Sequence, residues 1–156
     1  MEIQILDWKF SVDVDATFAH TLKNSADHCE CGYCRNYYDC VDMVYPDLRH
    51  FLSQFGIVLE GPSELMPFEP TIILACYRVH GEIISWGREP LFADTIPIAI
   101  GAGEDDTFLL WVGEMVLPWG LNEPVEEVVS PANTPDFIER MQQIWYMRHS
   151  EVCEIS

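Results

Sequence analysis

Leu6-Asp7-Trp8-Lys9-Phe10-Ser11-Val12-Asp13-Val14-Asp15 is the stretch on which the fold turns. Apolar and polar residues alternate through it without a break. Leu6, Trp8, Phe10, Val12 and Val14 fall on one side, and Asp7, Lys9, Ser11, Asp13 and Asp15 on the other. A period of two is that of a strand with one face in a core and one in water, so the spacing predicts a single long strand over 6–15.

Beyond it, Thr17 to Ser25 is short and polar, with Phe18 and Leu22 four apart, and reads equally as a helical turn or a loop. After Gly32 the period becomes helical. Tyr37, Tyr38, Val41, Val44 and Tyr45 gather on the side of Cys34, while Arg35, Asp39 and Asp42 form the opposite stripe. Pro46 interrupts this helix. Leu48, Phe51, Leu52 and Phe55, closed by Gly56, make a second. The prolines at 62, 67 and 70 and Gly61 predict a loop over 60–70 leading into a β-rich half. There, Thr71 to His80 and Glu82 to Gly87 read as a hairpin about Gly81, and Thr95 to Ile100 and Thr107 to Pro118 as two further strands, joined by an acidic turn over 101–106. That turn lacks the alternating ligands and following glutamate of an EF-hand loop.

Thr134-Pro135-Asp136 is a helix start, with a capping hydroxyl, proline at the first position and an acid against the dipole. Phe137, Ile138, Met141, Ile144, Trp145 and Arg148 then predict an apolar stripe packed on the sheet. The expected architecture is an α+β single domain over 1–156. It has a mainly antiparallel sheet, two consecutive helices after the first strand, and a C-terminal helix packed on the sheet.

Eight Lys+Arg against 26 Asp+Glu give a formal net charge of -18. Such a chain repels phosphate backbones and anionic membrane surfaces, which argues against nucleic-acid and membrane partners and for a basic protein if the surface is used at all. Residues 1–10 lack a basic region followed by an apolar run, and no stretch approaches the length of a membrane span, so a cytoplasmic protein is expected. Thiols stay reduced in that compartment, and the clustering of the six cysteines then needs an account other than disulfides.

Four of the six lie between positions 29 and 40. Cys29, Cys31 and Cys34 fall at a loop-to-helix junction, where short loops can turn several sulfurs toward one point and the helix N-terminus favours thiolate. Zinc takes such soft ligands, usually four. Cys40 lies about 240° around the helix from Cys34, which turns it away; adjacent His28 is the candidate fourth ligand, and Cys76 or Cys153 could reach the cluster only through tertiary structure. Two other readings stand beside the metal. Cys31-Gly32-Tyr33-Cys34 has the spacing of a redox dithiol, although Lys23 to His28 is too polar to be the strand that precedes such a motif. Cys34 also sits mid-face on the apolar side of its helix, where an unreactive core cysteine belongs.

Cys29-x-Cys31-x-x-Cys34-Arg35-Asn36-Tyr37, Tyr45-Pro46, Phe51-Leu52, Phe55-Gly56-Ile57, Pro62-x-Glu64, Tyr77 to Gly81 and Glu114 to Trp119 together resemble a group of uncharacterised small bacterial proteins with a C-x-C-x-x-C-R-N pattern. The resemblance runs from the first strand to Trp119. It implies a bacterial origin and supplies no activity to transfer.

Catalytic chemistry finds little support. Cys76 and His80 share one predicted strand, but four residues of strand separate them by roughly 13 Å, too far for a nucleophile and its base. His20, His50 and His149 have no partner by spacing, and no glycine-rich loop cradles phosphate. Arg35 is placed to clamp a carboxylate such as Glu64. The leading expectation is therefore a non-enzymatic, immunity-type or binding partner of a basic protein. The alternative is a small zinc-binding domain, and an enzyme comes third.

Overall fold

The computed structural model describes residues 1–27, 29–69 and 71–121. Ten elements follow one another: β1 Glu2–Ile5, β2 Trp8–Val12, α1 Val14–Ala26, α2 Gly32–Val44, α3 Leu48–Ser53, β3 Glu64–Glu69, β4 Ile72–Ser85, β5 Leu91–Ala93, β6 Ile96–Ala102 and β7 Thr107–Val116. Every strand pair is antiparallel, in the order β1-β2-β4-β7-β6-β5, with β3 also on β4.

This corrects the expected helix arrangement. Three helices, not two, follow two strands, not one. The predicted strand over 6–15 is broken at both ends. Leu6 takes a left-handed φ of 54°, and the chain reverses there so that Ile5 faces Trp8 across a hairpin. The Asp7 carboxylate accepts the backbone N–H groups of Arg88 and Glu89, which fixes the turn from outside and holds its pKa below the ordinary carboxylate value. At the other end Asp13 caps a helix by accepting from the Ala16 N–H at 3.0 Å, so Val14 opens α1 instead of extending the strand. The C-terminal helix expected over 134–149 lies outside the described residues.

Two further expectations change. Residues 64–69 are strand, since Pro67 sits near a register irregularity at the edge of β4 where no ladder donor is required of it. Gly81 makes no hairpin turn: β4 runs through it to Ser85. With φ at 150°, Gly81 lets β4 change neighbours, from β3 and β7 along its first half to β2 along its second. A Cβ there would stand 2.0 Å from the Ser11 carbonyl oxygen, so only glycine allows β2 this close.

The core lies between the helices and one face of the sheet. Trp8, Phe10 and Val12 are buried as their alternation demands, and Phe10 stacks on Phe108 at 5.3 Å and meets the edge of Phe55 at 5.5 Å. Tyr37, Val41, Leu48 and Leu52 close the core from the helical side. On the other sheet face a smaller cluster gathers Met66, Leu74 and Cys76 beside Leu109 and Trp111. Among the described residues no helix is long and apolar enough to cross a membrane.

Candidate metal centre

The loop entering α2 brings the three predicted sulfurs together. Cys31 is the N-cap, with extended backbone and its side chain free of any capping bond. The Arg35 N–H closes the first helical turn on the Cys31 carbonyl at 3.0 Å, while Arg35 Nε donates to the Glu30 carbonyl at 2.8 Å, a clasp from helix back to loop. The Cys31 N–H in turn donates to Cys29 Sγ at 3.3 Å. The sulfurs of Cys29, Cys31 and Cys34 all lie within 4.8 Å of one another, close enough to hold one metal ion. Tetrahedral zinc at about 2.3 Å from each sulfur sets them about 3.8 Å apart, so small side-chain rotations suffice.

Exposure grades across the cluster: Cys29 is exposed, Cys31 half-buried and Cys34 buried. The Cys31 N–H holds the Cys29 thiol below its ordinary pKa. Burial pushes the Cys34 thiol well up, and the neighbouring Cys31 and Cys29 sulfurs add to this, because several thiolates crowded together repel. A cation among them would remove that repulsion, which is why clustered thiols lose protons to a metal that they would not lose alone.

Cys40 and Cys76 stand apart from the cluster. Cys40 is buried and its Sγ donates to Asn36 Oδ1 at 3.4 Å, so the turn-away read from helical angles is realised. Cys76 lies buried on the far sheet face, its thiol pushed up to about 12 by burial. His28, the candidate fourth ligand, lies outside the described residues, as does Cys153.

One contact was not legible from spacing. Asn36 is 3% exposed; its amide donates to the Pro118 carbonyl at 3.1 Å and its oxygen accepts the Gly120 N–H at 2.8 Å. Trp119 meets Tyr33 edge-on at 5.7 Å. The chain leaving β7 is therefore tied to the same turn of α2 that carries Cys34. Comparison with family models, with curated proteins and with solved structures found no match to this chain. The C-x-C-x-x-C-R-N spacing thus has a geometry here but assigns no family.

Proposed function

We propose that the protein is a small zinc-binding domain whose ion is held by Cys29, Cys31 and Cys34. The observation that carries this reading is the convergence of three sulfurs within 4.8 Å at a helix N-terminus. Soft thiolates select zinc and related thiophilic ions over the hard divalent cations, and the amide dipoles of the first turn favour the negative charge that binding requires. His28 is the candidate fourth ligand; with it the set would be Cys3His, a closed structural site.

The ion's work in this reading is architectural. It ties the loop over 29–31 to the first turn of α2, whose Tyr33 and Asn36 hold the chain leaving β7. Cobalt substitution is the test. Reduced protein loaded with cobalt should develop sulfur-to-metal charge-transfer absorption, and Cys31→Ser should remove it, whereas Cys40→Ser should leave it intact. Absence of that absorption in the unsubstituted chain would remove the reading.

A further inference from the structure

The far side of α1 carries a cluster independent of the cysteines. The ring of His20 lies 5.2 Å from that of His80, tilted by 59°, although spacing alone left His20 without a partner. Two periodicities bring cations to this pair. Lys23 is three residues from His20 on α1 and so shares its helix face. Arg78 is two residues from His80 on β4 and so shares its sheet face. The helix is pinned there because the His80 N–H donates to Thr17 Oγ1 at 3.0 Å, one turn before His20. Arg78 and Lys23 both act electrostatically on His20, which agrees with this placement.

Among the described residues neither cation has a carboxylate within ion-pair distance. Arg49 is clamped between Asp42 and Glu60. Arg78 instead gives one N–H to the Thr107 hydroxyl at 3.0 Å and, like Lys23, forms no ion pair among the described residues. Glu64, opposite Cys76 on that face, is not within ion-pair distance of Arg78. Nε2 of His80 is the buried side-chain polar atom without a hydrogen-bond partner among the described residues.

We propose that His20, Lys23, Arg78 and His80 form a second site, one that binds a small oxyanion of the phosphate class. A guanidinium offers paired donors that match two oxygens of a tetrahedral anion, and an ammonium adds a point charge. Two adjacent imidazoles repel once both are protonated, and an anion beside them offsets that repulsion. The site rests on none of the cysteine ligands, so it stands or falls apart from the zinc reading.

Proton NMR of the full, reduced chain titrated with sodium phosphate, at ionic strength held constant with sodium chloride, tests it. The ring protons of His20 and His80 should shift together and saturate. Arg78→Gln should weaken the phosphate Kd about tenfold, the effect of losing a charge-assisted donor pair. Lys23→Gln, on the exposed helix surface where folding is not at stake, should weaken it by a smaller factor. Methyl phosphate as a second probe separates sources: tighter binding than phosphate assigns an esterified phosphate, weaker binding a free one. Shifts that grow linearly without saturating, that chloride reproduces, that both variants retain unchanged, or that acetate produces at equal affinity would each overturn the phosphate site.

Discussion

The Tyr37 hydroxyl donates to the Tyr77 hydroxyl, which gives its own proton to the Leu59 carbonyl at 2.6 Å. Both phenols are fully buried, and burial pushes both pKa values up, so the chain of bonds stays neutral. Tyr37 lies one turn beyond Cys34 on α2, Tyr77 is central in β4, and Leu59 belongs to the loop after α3. Three separate segments are thereby joined one helical turn from Cys34.

Because the bonds run in one direction, the two tyrosines are not equivalent. Tyr77→Phe strands both the Tyr37 O–H and the Leu59 carbonyl and should cost about 2–4 kcal/mol in urea denaturation. Tyr37→Phe leaves the Tyr77 to Leu59 bond in place and should cost only about 1 kcal/mol. Equal losses would mean that the order of donation is wrong.

Asn36 satisfies one carbonyl and one N–H of the chain leaving β7, a pairing that alanine cannot replace. Asn36→Ala should destabilise the fold by about 1–3 kcal/mol. It should also speed hydrogen exchange at the Gly120 N–H and alter Trp119 fluorescence as its contact with Tyr33 loosens. Unchanged exchange at Gly120 would show that the contact holds nothing.

His20 predicts a pH effect. Burial, then the charges of His80, Arg78 and Lys23, hold its pKa below the ordinary 6.5, so the unfolded chain takes up this proton first as pH falls. Its contribution is therefore fully present above pH 6.5 and is lost as pH drops from there toward the folded-state value. Substituting His20→Asn should flatten the pH dependence of Tm just below pH 6.5 relative to the unsubstituted chain. A difference between the two that grows above pH 7 instead would contradict the sign.

How far sequence reached depended on whether a signal was local. The alternation of Trp8, Phe10 and Val12 and the helical spacing of Tyr37, Val41, Leu48 and Leu52 correctly placed those residues in the core, since burial follows period directly. The ends of elements were hidden, because they are set by contacts from elsewhere. Leu6 is not a turn-forming residue, and its reversal is held by Asp7 on the backbone of Arg88 and Glu89. Gly81 punctuates as a turn does, yet it permits a close approach of Ser11. At the cluster, the spacing of Cys29, Cys31 and Cys34 announced the convergence, while Asn36 holding Pro118 and Gly120 joins positions more than eighty residues apart and left no trace in spacing.

Metal content of the native protein tests the central claim most directly. Protein purified without added metal and without chelator should contain close to one zinc per chain by elemental analysis. Cys31→Ser should abolish it, Cys40→Ser and Cys76→Ser should retain it, and chelation of the unsubstituted chain should lower its Tm. A metal-free native protein in which Cys29 alkylates readily, Cys34 only after unfolding, and chelator leaves the Tm unmoved would contradict the account and leave the three sulfurs as neighbours in a packed corner.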